Sequence, residues 1–166
     1  MKIYVSPSSQ SANIGVGTYG KESDRMQALS DLLVPLLEDA GHTVYGGNNS
    51  LTLSERIAAS NNADVDLHVA LHSNAGGGSG PETWYYTSST NGQSLAQKIL
   101  TKLKAISGAA TGRTIKSSTS LIELSQTSAV ATIVEVAFHD NQTDVNWMLA
   151  HWSDIAQAIC NGIEEY

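Results

Sequence analysis

One cysteine, three prolines and one phenylalanine occur in 166 residues, and lysine plus arginine number only nine. The single Cys160 cannot close an intramolecular disulfide; lying in an apolar C-terminal stretch, it reads as a buried thiol. Nine basic against sixteen acidic side chains leave a net charge of -7, which argues against a nucleic-acid partner. No apolar run approaches the roughly 20 residues of a membrane span, so no membrane insertion is expected. The first residues have strand rather than signal-peptide character. Work outside the cytoplasm would then need release by lysis, a membrane-opening partner of the holin type, or a longer parent chain. Residues 1–166 suffice for one domain with a core of its own, and a monomer is expected.

What is present is an alternation of strand-like and helical segments. Lys2 to Val5 predicts a strand, and Ser6 to Gly20 a polar loop. Met26, Leu29, Leu32, Leu33, Leu36 and Leu37 form a helical stripe within Glu22 to Ala40, with Pro35 inside it as an expected kink. His42 to Tyr45 predicts a second strand, and Leu51 to Asn61 a helix capped by Ser50. Val65 to Leu71 follows as a strand, then a glycine-rich loop from Gly76 to Gly80, then Thr83 to Thr87. Gln93 to Ile106 has helical period, Ser107 to Ser120 reads as loop, and Ser120 to Glu123 as a short strand. Val130 to Ala137 is a buried strand, and Val145 to Glu164 closes the chain as one or two helices. The pattern predicts an α/β fold: a single domain with a twisted, mostly parallel sheet of about six strands and helices on both faces.

Chemistry in such sheets collects at the carboxyl ends of the strands. Two runs deliver polar residues there: Leu67-His68-Val69-Ala70-Leu71-His72-Ser73-Asn74-Ala75 and Ile133-Val134-Glu135-Val136-Ala137-Phe138-His139-Asp140-Asn141. His72 stands where the first run ends and is a metal-ligand candidate. His68, one repeat deeper, reads as a buried, hydrogen-bonded imidazole. His42 falls at the opposite sheet end, and His151 on a helix surface. Glu135 interrupts an apolar strand, where a carboxylate is costly unless paired, protonated or beside a metal. His139 shares its strand parity, but four extended residues span roughly 13 Å. Both can face one ion only if the chain bends near Phe138, and Asp140-Asn141 supplies a turn. A neutral imidazole beside carboxylates points to a zinc hydrolase. Glu22, by itself, reads as a carboxylate at the positive end of a helix. Gly15-Val16-Gly17-Thr18-Tyr19-Gly20 matches a dinucleotide fingerprint but lies too far from its strand. The serines near Ser6 lack a nucleophile elbow.

Taken together, the opening strand, Glu22, Leu71-His72-Ser73-Asn74-Ala75, the Gly80-to-Tyr86 segment and Val134-Glu135-Val136 resemble the zinc-dependent N-acetylmuramoyl-L-alanine amidases of bacterial cell-wall hydrolases and phage endolysins. The resemblance spans nearly the whole chain. It implies a single catalytic domain that acts on the cell wall, with peptidoglycan as substrate and the amide between N-acetylmuramic acid and L-alanine as the bond cut. It also implies Zn²⁺ as cofactor, Glu22 and His72 as ligands and Glu135 as general base. Asn74, Gly80 and Tyr85 are expected substrate contacts, although strand packing is the favoured reading of the aromatic residues. The family's usual first ligand, a histidine just after the first strand, is missing: the turn reads Ser6-Pro7-Ser8-Ser9-Gln10. His139 is therefore expected to replace it. Two rival readings stay open, a catalytically inactive peptidoglycan-binding relative and a stem-peptide carboxypeptidase on the same fold.

Overall fold

The computed structural model describes residues 1–107 and 113–166. Along the chain come β1 (Lys2–Pro7), the short pair β2 (Ile14–Gly15) and β3 (Gly20–Lys21), α1 (Glu22–Asp39), β4 (Thr43–Gly46), α2 (Leu53–Asn62) and β5 (Leu67–Asn74). They are followed by β6 (Glu82–Tyr86), α3 (Thr90–Ser107), β7 (Ile115–Ser118), α4 (Ile122–Ser125), β8 (Val130–Phe138), α5 (Gln142–Ala150) and α6 (Trp152–Glu164). Six strands form one sheet in the order β4-β1-β5-β8-β6-β7, parallel except where β6 runs against β8. This is the α/β architecture that the alternation of strands and helices predicts. Among the described residues no helix is long and apolar enough to cross a membrane.

The strand side chains divide into two unequal faces because successive residues point to opposite sides. Ile3, Val5, Leu67, Val69, Leu71, Val134 and Val136 join Met26, Leu29 and Leu33 of α1, Leu95 and Ile99 of α3, and Ile155 and Ile159 of α6 in the large core. The other face holds a small cluster of Ala70, Ala131, Ile133 and Leu124, with Trp84, Tyr86 and Leu121 against it. On that face the register sets Tyr4 beside His68, His72 beside Glu135, and Glu82 beside Glu135. Polar groups thus gather where only α2, α4 and loops cover the sheet.

Several local expectations change. The third predicted strand runs on through Asn74, so His72 lies within β5. Thr52, not Ser50, caps α2, in a reciprocal capping box with Glu55. The expected strand at Ser120 to Glu123 is instead the single turn α4. The expected loop from Ser107 to Ser120 contains β7, and its residues 108–112 lie outside the described residues. A one-residue slip separates His72↔Glu135 from Asn74↔Phe138: two steps on β5 face three on β8. An extra residue in one strand reverses its alternation. Beyond Glu135, therefore, Ala137 falls into the large core rather than onto the polar face.

Candidate functional site

The carboxyl ends of β1, β5 and β8 open into a cavity of about 300 Å³. His72 and Asn74 of β5, Ile133 and Glu135 of β8, Trp84 of β6 and Gln10 of the loop after β1 line it, with Leu53 of α2 and Leu121, Ile122 and Glu123 at α4. The loop after β1 folds back through the β2–β3 pair, and Gly20 takes the left-handed conformation there at φ +77°. That return sets the start of α1 over the sheet edge. Glu22, its first residue, is 1% exposed, and its amide donates to the Asn13 carbonyl at 2.9 Å.

His72 stands between two carboxylates. Its Nδ1 lies 3.0 Å from Glu22 Oε1, and its Nε2 lies 3.8 Å from Glu123 Oε2. Burial opposes a charged ring, but Glu123 and Glu22 outweigh it and push the His72 pKa up to about 10. Burial likewise opposes ionised Glu123, yet His68 and His72 hold it well below the usual carboxylate range. Glu22 is lowered too: burial opposes, while His72, Asn13 and Ser8 prevail. Asn13 Nδ2 donates to Glu22 Oε2 at 2.6 Å and to Gln10 Oε1 at 3.0 Å. This fixes the Gln10 carboxamide with its Nε2 facing His72 Nδ1 at 3.2 Å.

Glu135 is different in kind. Its Oε2 is buried and has no hydrogen-bond partner among the described residues. Burial is the main reason its pKa rises, to about 7; His72 lowers it, and Glu22 and Glu82 raise it. A carboxyl group at that value can both accept and return a proton near neutrality. Behind it Glu82, fully buried, accepts from Asn74 Nδ2 at 2.9 Å and pairs with Lys116 at 2.9 Å and with Arg113.

The structure brings Glu22, His72 and Glu135 to one edge. It does not bring His139 to them. The slip in β8 turns His139 toward the α1 side, where its ring stacks on the buried Tyr19 at 5.9 Å. Its Nδ1 meets the Ser73 carbonyl at 3.0 Å and the Ser73 hydroxyl at 2.9 Å. The bend near Phe138 that would join it to Glu135 is replaced by continued strand. Of the expected substrate contacts, Asn74 lines the cavity. Tyr85 alternates away from Trp84 onto the opposite face, and the Gly80 amide is occupied by Asp144 Oδ2 at 2.8 Å. The glycine loop is clamped further by Asp140, which accepts from Gly76 and Gly77 at 2.7 and 2.9 Å, and by Asn141 on the Gly78 carbonyl. His68 is buried and hydrogen-bonded, as expected, and His151 pairs with Asp154 on the surface. Gln10, Asn13 and Glu123 carried no signal strong enough to single them out. The best available was Glu123, a carboxylate between Ile122 and Leu124.

Among the described residues no group of three His, Cys, Asp or Glu side chains is arranged to hold a metal ion. Two are adjacent. Donor atoms bound to one tetrahedral zinc lie about 3.3 Å apart, from bonds of about 2.0–2.1 Å. Glu22 Oε1 and His72 Nδ1, at 3.0 Å, fit such a pair.

A mostly parallel sheet with an open cavity, an imidazole and buried carboxylates at its carboxyl edge has the form of an α/β enzyme domain. The family described as N-acetylmuramoyl-L-alanine amidase matches residues 6–165, and the chain belongs to it. The amidase LytC of Bacillus subtilis (strain 168) is 30% identical over 140 residues, covering 80% of this chain but only 27% of that protein. The N-acetylmuramoyl-L-alanine amidase of Clostridium difficile 630 superposes with a TM-score of 0.86 at 20% identity, over 99% of this chain and 95% of that one. The catalytic domain of the CD27L endolysin, which targets Clostridia difficile, superposes at 0.80 with 25% identity, over 99% and 97%.

Proposed function

We propose that this chain hydrolyses the amide between N-acetylmuramic acid and L-alanine in peptidoglycan, acting on the cell wall, with Glu135 as general base. The observation that carries the reading is the unpartnered, buried Glu135 Oε2 at the cavity wall, on a carboxyl group poised near pH 7. Glu135 takes a proton from the attacking water as the oxygen bonds to the scissile carbonyl carbon. It then gives that proton to the alanine nitrogen as the C–N bond breaks. Trp84, Ile133 and Leu121 offer an apolar wall, and Asn74 a polar contact, for the substrate on either side of that bond.

Glu22 and His72, whose Oε1 and Nδ1 lie 3.0 Å apart, would hold Zn²⁺, with loss of a proton from the imidazole. Bound there, zinc would supply Lewis-acid polarisation of the carbonyl and lower the pKa of a bound water. Catalytic zinc usually has three protein ligands. With only two here, and the Gln10 amide set against His72 Nδ1, weak metal affinity follows. That same feature favours the second reading, a wall-binding relative without turnover.

Product analysis separates them. Purified protein is incubated with peptidoglycan, with and without a strong chelator, and new amino and reducing groups are assayed. New L-alanine amino termini that vanish on chelation and return with zinc support the amidase. Pelleting with the wall while no group is released supports the binding protein. A different free amino acid released from the stem end indicates a carboxypeptidase.

A further inference from the structure

Two cations converge on one buried carboxylate at the β6–β7 side of the cavity. Glu82 Oε1 is met by Arg113 Nη1 and, at 2.9 Å, by Lys116 Nζ, while its Oε2 accepts from Asn74 Nδ2. One carboxylate offsets only one of these charges. Arg113 is the built-in partner: its Nε donates to the Ser79 carbonyl at 3.0 Å, and its guanidinium lies 4.5 Å from the centre of the Phe138 ring. Lys116 is held less. Its side chain is 39% exposed, and Glu82 takes one of its three ammonium donors. The surplus charge is therefore that of Lys116.

The register carries Lys116 to the face that holds the cavity. It pairs with Trp84, Trp84 pairs with Ile133 and Glu82 with Glu135, so all of them share the thinly covered side of the sheet. Lys116 Nζ stands 5.0 Å from the centre of the Trp84 ring, and Trp84 lines the cavity. Cross-strand partners lie about 5 Å apart, so the ammonium, beyond Glu82, is on the order of 8 Å from the Glu135 carboxyl. Two extended peptide residues span about 7 Å. In the bond read as the one cut, the carboxyl of muramic acid is consumed in the amide, so carboxylates lie on the peptide side. We propose that Lys116 binds a carboxylate of the stem peptide, carried by the residue after alanine, so that the peptide runs toward β7 and the sugar toward Gln10 and Leu53. Elsewhere the cavity repels such a group, because Glu123 and Glu135 line it and Glu22 stands behind His72. A carboxylate that leaves water there needs an opposite charge. The inference rests on the amidase reading.

The test uses two synthetic N-acetylmuramoyl-L-alanyl peptides whose next residue is glutamate, linked through its side-chain carboxyl. In one the α-carboxyl is free; in the other it is a carboxamide. Initial rates give kcat/KM on each for wild type, Lys116→Met and Lys116→Arg. Titration calorimetry on Glu135→Gln, with and without each Lys116 change, gives the affinities. Arg113 still pairs with Glu82 in both Lys116 variants, so the buried carboxylate keeps a partner. With Lys116 intact, the free carboxylate is expected to be favoured about tenfold or more in both readouts. The ratio should fall to about one in Lys116→Met and be kept in part by Lys116→Arg. A ratio unchanged in Lys116→Met, even if both rates drop together, overturns the proposal, because Lys116 then acts only on Glu82 or Glu135. A wild type indifferent to the carboxylate overturns it as well. If wild type cleaves neither compound, the amidase reading falls and the affinities decide the subsite. A preference that Lys116→Met removes then upholds carboxylate binding, and equal or absent affinities overturn it.

Discussion

His72 and Glu135 are direct partners in the β5–β8 ladder, and theirs is the last pairing before the register slips. Both side chains stand on the thinly covered face, one drawn toward the charged state by carboxylates and the other pushed toward neutrality by burial.

The first consequence is a pH limb. A general base works deprotonated, and the Glu135 carboxyl has its pKa raised to about 7, chiefly by burial. Cleavage of peptidoglycan should therefore be slow at pH 5 and rise with pH through about 7. Initial rates at subsaturating substrate test this, and a limb centred near ordinary carboxyl values would place the base elsewhere. Glu135→Gln should abolish the limb and lower turnover by several orders of magnitude.

The same residue should weaken the fold. Its folded pKa lies above the ordinary carboxyl value of about 4.5, so stability falls as pH rises from about 4.5 and the loss is complete above about 7. The shift corresponds to a cost on the order of 3 kcal/mol at pH 8. Glu135→Gln should accordingly be more stable than wild type at pH 8 and about equal to it at pH 4. Urea unfolding at the two values decides; equal stability of the two proteins at pH 8 would contradict the buried, unpartnered carboxylate.

Gln10 is the side chain of the loop after β1 that reaches His72. Its amide nitrogen is 3.2 Å from His72 Nδ1. Gln10→His should bring an imidazole to the Glu22–His72 pair and tighten zinc by at least about tenfold. Zinc titration of the variant against wild type measures it, and unchanged affinity would mean that the loop after β1 does not aim this side chain at the ion.

His139 should prove structural. It is 5% exposed, bonded to Ser73 and stacked on Tyr19. His139→Ala should cost about 2–3 kcal/mol of stability through the lost packing and hydrogen bonds, with zinc affinity within a factor of about two of wild type. Thermal unfolding and metal titration on one preparation separate these effects, and a selective loss of zinc would restore it as a ligand.

Much of this site is legible one residue at a time. Glu135 stands out because a carboxylate breaks an apolar strand, and His72 because it ends the apolar run Leu67 to Leu71. Glu22 stands at a helix start, and only the resemblance gave it a part in the site. Glu123 was not legible, because Leu121 to Leu124 has the composition of a strand edge and only packing against the sheet makes it a helical turn. The strand Ile115–Ser118 was missed for a related reason: Ile-Lys-Ser-Ser carries little strand signal until β6 pairs with it.

The periodicity of apolar residues was enough, without tertiary knowledge, to determine the main strands β1, β4, β5, β6 and β8, the long helices between them, and that Leu67, Val69 and Leu71 share one face of β5. That is local physics: side chains two apart on a strand, or three and four apart on a helix, share a surface. Contacts across the chain were decided only in three dimensions. Glu22 reaches His72 across 50 positions and Glu123 reaches His68 across 55, and no local pattern encodes either meeting. The fate of His139 turned on one extra residue in β8. Val136, Ala137 and Phe138 are all apolar, so the alternation that would reveal a slip is silent there, and only pairing with β5 shows which way the chain turns.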